Sequence, residues 1–175
     1  MDFASSLVED WRATMNVLAI DPGLKGGIAF VSSPEVDGVR NVRAWKMPLM
    51  KIVGGAHMMP DPEAIQSIIS LHDPHHVVME RVHAMPKQGV NSMFTFGGGF
   101  MSVITAIVAM GCPEPEYVLP QVWKKALGLG RDKGDSLELA RHIFPEVSLG
   151  KSSDEGKAEA LLIAHWYRKK HEGIK

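Results

Sequence analysis

The chain has 175 residues, of which 45% are hydrophobic and 22% charged, and its formal net charge is −1. This composition is typical of a folded globular protein and excludes an intrinsically disordered chain. The single cysteine, Cys112, excludes an internal disulfide and a cysteine-rich zinc site. Because the charge is close to zero, any nucleic-acid surface must be a local basic patch.

The ends and the apolar runs of the chain set expectations about its location. The first 14 residues have no basic segment followed by an apolar one, so they do not resemble a secretory signal. No apolar run is long enough to span a bilayer. We therefore expect a cytoplasmic protein without a membrane partner. We also expect an N-terminal extension at 1–14 and a single domain at 15–175.

Three short strands are predicted at the start of that domain. Val17–Ile20 is entirely apolar and is followed by a Pro-Gly turn, which favours a strand buried on both faces. Gly27–Val31 and Val42–Met47 follow after turn-rich segments. The three strands are expected to pair as antiparallel hairpins. The next segment, 49–60, contains Gly54-Gly55 and is predicted to be a loop.

The second half of the chain alternates helices with strands. Asp61 and Pro62 are typical of a helix start, and Asn91 or Ser92 is the expected cap of a long helix that ends at Gly111. The predicted segments are strand His75–Glu80, helix Met93–Met110, strand Glu116–Leu119, and helices Pro120–Ala126, Lys133–Phe144 and Asp154–Lys170. This order predicts an α/β fold with an antiparallel beginning and a parallel continuation.

Two acidic residues directly follow apolar strands. Asp21 ends the first strand, and Glu80 ends the strand that begins at His75. Functional sites of open α/β sheets form at the carboxyl ends of strands, and two neighbouring carboxylates favour a hard cation such as Mg²⁺ between them. There are structural alternatives: Asp before Pro-Gly suits a turn, and Glu80 has Arg81 beside it.

A third group of acids lies in "SSDEGKAEALLIAHW". Glu159 stands between two alanines, which allow a helix to approach a sheet closely. Glu155 is four residues earlier and lies on the same helix face, but Ser152 and Glu155 also match a capping box. Asp154 is about 140° around the helix from Glu159. It would reach a shared site only from the first turn.

Four motifs, taken in order and spacing, resemble the RuvC family of Holliday-junction resolvases, in its bacteriophage variety. They are "IDPGLKGGIAF", "VVMERVHAMPKQGVNS", "YVLPQVWKKALGLGRDKGDSLELARHIFP" and "DEGKAEALLIAHW". The resemblance runs from Met15 to Trp166. It implies an RNase H-like fold, with a mixed five-stranded sheet flanked by helices, and a homodimer that cuts opposed strands of a four-way DNA junction.

The resemblance also implies the catalytic residues. It makes Asp21, Glu80 and Glu159 metal ligands. Cellular relatives place an acid or histidine where this chain has Gly156, whereas the phage-like pattern carries an aspartate where Asp154 stands. The resemblance therefore implies Asp154 as the fourth acid, with Glu155 as the alternative. Two Mg²⁺ ions, for which Mn²⁺ would substitute, are expected to promote in-line attack of water on the scissile phosphate. The products would be a 5′ phosphate and a 3′ hydroxyl.

Local basic residues are the predicted DNA contacts. The resemblance makes Lys124 and Lys133 phosphate contacts beside the acids; Lys125 and Arg131 lie in the same basic run. Lys87 belongs to a loop that reaches the junction centre in this family. Such charge runs are more often solvated helix faces, and only the context favours DNA. The run 97–99, three glycines in a predicted helix, would allow the close approach of a second copy.

Three other functions are compatible with parts of the pattern. "DPGLKGG" is similar to the phosphate loop of actin-like ATPases, but those enzymes need two lobes. A junction-binding protein without catalysis would gain little from acids close to DNA phosphates. A broader nuclease that cuts branched phage DNA would use the same residues and is not distinguished from a strict resolvase. Neither a strict resolvase nor a broader branched-DNA nuclease requires a small-molecule cofactor.

Overall fold

A computed structural model describes residues 15–34, 40–52, 57–82, 89–130 and 134–172. Within these ranges the chain forms a mixed five-stranded sheet, a separate two-stranded hairpin and five α-helices. The strands are β1 Val17–Asp21, β2 Gly27–Pro34, β3 Arg40–Lys46, β4 Leu49–Lys51, β5 Met58–Pro60, β6 His76–Glu80 and β7 Glu116–Val118. The helices are α1 Pro62–Ser70, α2 Val90–Ala109, α3 Pro120–Ala126, α4 Asp135–Ile143 and α5 Glu155–Glu172.

The order of the large sheet is β3-β2-β1-β6-β7. β1 pairs with β2 and β2 with β3 in antiparallel register, whereas β1–β6 and β6–β7 are parallel. The predicted α/β class, its antiparallel opening and its parallel continuation are therefore confirmed. Because β1 and β6 are direct neighbours, their carboxyl ends meet at one edge of the sheet.

The central strand β1 is buried on both faces, as its apolar sequence predicts. Val17 and Ala19 contribute to a core that α3, α4 and α5 complete on one side. Leu18 and Ile20 point to the other side, where α1 and α2 cover them. The alternation follows from the two-residue repeat of a strand, and it leaves only the end of β1 accessible.

Two local predictions were wrong. The segment predicted as a loop carries the antiparallel pair β4–β5 on either side of 53–56. α2 begins at Val90 with Gly89 as its N-cap, so Asn91 and Ser92 lie inside the helix rather than cap it. The chain enters that helix in an extended conformation at Gly89, which has no side chain to form a cap bond. Start signals based on polar side chains cannot detect such a cap.

The expectation that no segment is long enough to span a membrane was also wrong. By length and composition alone, α2 could cross one, and only 22% of its most apolar stretch is buried. The expectation counted uninterrupted apolar side chains, but the glycines, serines and threonines of α2 carry no charge and do not make such a helix polar. α2 therefore presents an unusually apolar surface that needs an explanation.

Several predictions lie outside the described residues. These are the extension 1–14, the loop residue Lys87, and the basic residues Arg131 and Lys133. Within the described part, α4 begins at Asp135.

Candidate active site

Asp21 and Glu80 lie side by side at the carboxyl edge of the sheet. Ile20 pairs with Met79 in the parallel register, so the residues that follow them emerge next to each other. The backbone N–H of Gly23 donates a hydrogen bond of 3.2 Å to Oδ1 of Asp21. Asp21 therefore does begin the predicted Pro-Gly turn. The same hydrogen bond also fixes its carboxylate at the end of β1.

α5 brings Glu159 to the same edge through a contact between two main chains. Gly156 in its first turn lies against the β1–β2 turn and the start of β2. A Cβ on Gly27 would come within 2.6 Å of the Gly156 carbonyl oxygen, and a Cβ on Gly156 would clash with the carbonyls of Lys25 and Gly26. This chain therefore has no space for a side chain at position 156.

Electrostatic coupling shows that the acids share one environment. Burial raises the pKa of Asp21, and the charge of Glu80 raises it further, to about 7 from an ordinary 3.8. Glu159 adds to the increase, while the Gly23 hydrogen bond and Lys124 oppose it. At Asp21 the two neighbouring carboxylates raise the pKa by more than Lys124 lowers it.

Glu80 has a partner that the sequence did not reveal. The indole N–H of Trp123 on α3 donates a hydrogen bond of 2.8 Å to Oε2 of Glu80. Trp123 is fully buried, so this bond holds the carboxylate in one orientation. Burial raises the pKa of Glu80, and the Trp123 bond offsets part of that rise. A tryptophan in an apolar helix pattern indicates core packing, and only the fold places its N–H on an acid.

Lys124, the next residue on α3, binds the third acid. Its Nζ lies 2.6 Å from Oε1 of Glu159, and the Ser136 hydroxyl is 3.4 Å from the same oxygen. Burial lowers the pKa of Lys124, but the hydrogen bond and charge of Glu159 outweigh it and leave the pKa above its usual value. The predicted position of Lys124 beside the acids agrees with this geometry; its contact with DNA phosphate stays a prediction.

The two possible fourth acids have different surroundings. Asp154 accepts a hydrogen bond of 3.1 Å from the Lys151 backbone N–H, and its other oxygen lies 3.4 Å from Lys46 and 3.3 Å from Lys157. Burial raises the pKa of Asp154, but these contacts lower it more. The capping role expected for Glu155 therefore belongs to Asp154. Glu155 instead lines the cavity described next.

A cavity of about 670 Å³ opens in front of the acids. Asp21, Glu155 and Glu159 line it, together with Lys25 and Lys46. Both lysines are exposed. Sequence reasoning missed them, although Lys25 lies in the "DPGLKGG" motif itself. Their charges give the cavity a mixed lining that suits an anion bound next to a cation.

Lys125, by contrast, is exposed on α3 and is not among the residues that line the cavity. Within the described ranges it is on the surface next to Lys124, where a contact with DNA outside the cavity is sterically open.

The donor chemistry of the site fits a hard divalent cation. Carboxylate oxygens are the ligands that Mg²⁺ prefers, and a cation would oppose the effects of burial and of the Glu80 charge, which raise the pKa of Asp21. Among the described residues, no three acids, histidines or cysteines are placed so that they could jointly hold a metal as they stand. The ammonium of Lys124, not a shared ligand arrangement, determines where Glu159 points.

Comparison with known proteins gives a consistent result. RuvC from Thermus thermophilus superimposes with a TM-score of 0.60 over 91% of this chain and 97% of that one, at 19% sequence identity. The fold is that of RuvC. The same protein in complex with a Holliday junction substrate gives a TM-score of 0.60 over 89% of this chain and 96% of that one, at 18% identity.

A sequence match supports the RuvC resemblance independently. A crossover junction endodeoxyribonuclease RuvC from Magnetococcus marinus is 32% identical over 99 residues, or 56% of this chain. The match spans about half of that relative, 52% of its length. No protein-family model matches the chain. The predicted resemblance to RuvC and the RNase H-like fold are thus confirmed.

Proposed function

We propose that this protein is a metal-dependent DNA endonuclease that resolves four-way junctions by paired nicks. The observation that carries the proposal is the convergence of Asp21, Glu80 and Glu159 at one edge of a RuvC-type sheet, with a lysine bonded to one of them. The site lies at the mouth of a large cavity, where burial and the charge of Glu80 raise the pKa of Asp21.

The chain's own residues have distinct roles in this proposal. Asp21, Glu80 and Glu159 would hold the divalent cations, and Trp123 would keep Glu80 oriented. Two bound Mg²⁺ ions would activate the attacking water and stabilise the leaving 3′ oxygen. Lys124, Lys25 and Lys46 would bind the phosphates beside the cut, since they line or border the acid cavity.

The surroundings of the two neighbouring acids favour Glu155 over Asp154 as the fourth ligand. Asp154 accepts a hydrogen bond from the Lys151 N–H and forms ion pairs with Lys46 and Lys157. Glu155 instead lines the same cavity as Asp21. We therefore expect Glu155→Gln to impair cleavage more than Asp154→Asn. Loss of Asp154 would instead lower stability, because its helix cap and its ion pairs are lost together.

A homodimer is the second part of the proposal. α2 exposes a stripe of Phe94, Met101, Thr105 and Val108, and the exposed fractions are 85% for Phe94, 56% for Met101 and 65% for Val108. These positions recur every three to seven residues and lie on one helix face. Gly97 and Gly98 lie near this face, with no atom within 4 Å of a Cβ built on either. A second α2 could approach closely there and cover the stripe.

The test of catalysis is cleavage of a labelled synthetic four-way junction, compared with a fork and linear duplex, in Mg²⁺ or EDTA. Asp21→Asn is the inactive variant, and Asp73→Asn is its control. Asp73 is 94% exposed and precedes β6 at the opposite end from Glu80. We expect symmetric Mg²⁺-dependent nicks from the parent protein and from Asp73→Asn only.

Other outcomes have defined meanings. Equal cutting of the fork would indicate a broader branched-DNA nuclease. Tight junction binding without cutting, in Mg²⁺ or Mn²⁺, would contradict catalysis and leave a junction-binding protein. For the dimer, sedimentation should give a two-chain species that Phe94→Glu dissociates. Flotation of the parent protein with lipid vesicles, lost in Phe94→Glu, would instead assign the stripe to a membrane.

A further inference from the structure

A second cavity lies next to the acids. It has a volume of about 310 Å³, which is at the lower end of the range for small-ligand sites. The β1–β2 turn, the end of β5 and the N-terminal half of α2 surround it. Its lining includes Pro22, Leu24, His57, Pro60, Asn91 and Phe96.

The wall between β5 and α2 is fixed by close packing. A Cβ built on Gly99, which carries none, would come within 2.9 Å of Cδ of Pro60. The buried Ser102 hydroxyl donates a hydrogen bond of 2.9 Å to the Pro60 carbonyl. Because helix and strand are joined there, the cavity is a preformed feature of this part of the fold.

The cavity adjoins the acid cavity. Leu24 lines both cavities, and Pro22 directly follows Asp21. A DNA strand whose scissile phosphate lies at Asp21 would therefore place an adjacent nucleotide at the entrance. Among the residues that the structure describes, no lysine or arginine lines the second cavity, which favours an uncharged occupant over a further phosphate.

The lining suits a nucleobase. Pro60, Leu24 and the Phe96 ring provide apolar and aromatic surface for a flat heterocycle, and stacking on aromatic side chains stabilises unstacked bases. Asn91 and Ser92 are exposed and line the same cavity, where they can bond a base edge. Asparagine is a typical partner of adenine.

The cavity also stays open in the proposed dimer. Its α2 residues continue the buried face of the helix toward the N-terminus. That face is about 130° around the helix from the centre of the exposed stripe, at 100° per residue. A partner that covers Phe94 and Met101 would therefore leave Phe96 accessible.

We propose that this cavity is a base-binding site that accepts one nucleobase, unstacked from the cleaved strand beside the scissile phosphate, and thereby sets the sequence preference of cleavage. The inference rests on the proposed nuclease function. It adds a specificity site that is separate from the catalytic acids.

The main test uses a variant that fills the cavity. Thr95 lines it, and its hydroxyl bonds only to the Asn91 carbonyl one turn earlier among the described contacts. Thr95→Phe would occupy the space without removing a bond between elements. Ser67→Phe is the control, because Ser67 is exposed on α1 and makes the same hydroxyl-to-carbonyl bond, to Glu63.

Cleavage rates are measured on junctions in which each base flanking the cut is replaced in turn by the other three and by an abasic site. We expect the parent protein and Ser67→Phe to slow at least tenfold for an abasic site at one position. Thr95→Phe should still cut, with that discrimination reduced to less than twofold. Unchanged discrimination in Thr95→Phe would overturn the base site while the nuclease stands. Absence of cutting by the parent protein would overturn both.

A second measurement does not depend on the folding of Thr95→Phe. Asp21→Asn is bound to junctions that carry 5-iododeoxyuridine at the preferred position and is then irradiated. The crosslinked peptide should contain His57 or residues 91–99. A crosslink that maps elsewhere would contradict the proposed location.

Discussion

Replacing Asp21 by Asn should stabilise the metal-free protein while it abolishes cleavage. The pKa of Asp21 is raised from an ordinary 3.8 to about 7 by burial and by Glu80. Each unit of difference between the folded and the ordinary pKa corresponds to about 1.4 kcal/mol. Ionising Asp21 in the folded, metal-free protein therefore costs about 4 kcal/mol, which is a large part of the stability of a typical domain.

The pH dependence of this effect has a definite sign. Because the folded pKa is raised, the unfolded chain loses the proton first, and the parent protein becomes less stable as the pH rises from about 4 to about 7. Asn cannot ionise, so the variant lacks this loss. The stability difference should be near zero at pH 4, grow between pH 4 and pH 7, and reach its maximum above pH 7.

Urea unfolding in EDTA at several pH values between 4 and 8 measures the difference, with Glu114→Gln as the control that should show no such trend, because Glu114 is exposed just before β7. Adding Mg²⁺ at pH 8 should stabilise the parent protein and not Asp21→Asn, since a ligand bound only to the folded state raises its stability. If Asp21→Asn is no more stable than the parent protein at pH 8, or if the stability difference does not vary with pH, the pKa of Asp21 is not raised in the folded protein.

Three further substitutions test the parts around the acids. Gly156→Ala should lower the free energy of unfolding by about 1–3 kcal/mol, because its methyl group overlaps the main chain beneath it; an unchanged urea midpoint would contradict the contact. Trp123→Phe keeps an aromatic ring but removes the N–H donor to Glu80, so it should lower the free energy of unfolding by about 1–3 kcal/mol. It should also raise the Mg²⁺ concentration needed for cleavage. An unaltered Mg²⁺ requirement would argue against a positioning role for Trp123. Lys124→Met should bind Mn²⁺ several-fold more tightly in a direct titration, because Glu159 loses the ammonium that competes with the metal. The variant should nevertheless cleave more slowly than the parent protein. Weaker Mn²⁺ binding would disprove the competition.

The sequence predicted the sheet and two of the acids because both depend on local patterns. An apolar strand that ends in a carboxylate is visible in a few residues, as at Ile20-Asp21 and Met79-Glu80. The chain returns from the antiparallel strands through a single helix, α1, and this crossover lets β6 pair with β1 in parallel.

Features that depend on distant contacts were not predictable. The Trp123–Glu80 bond joins residues 43 positions apart, and no periodicity reveals it. Asp154 and Glu155 are adjacent in sequence, and only their contacts separate a helix cap from a cavity-lining acid. The β4–β5 hairpin was missed because its strands have three residues each, too few for an alternation pattern.

The way α5 completes the site has a consequence for synthesis. Asp21 and Glu80 are carried by strands made early, whereas Glu159 lies on the last described helix, which packs on β1 and β2. A ribosome-bound chain that lacks this helix has at most two of the three converging acids. Since segments emerge in order and long-range contacts form late, the proposed nuclease would acquire its cutting centre only after the helix is released. A nascent or truncated chain would therefore be harmless to the DNA of the cell that makes it.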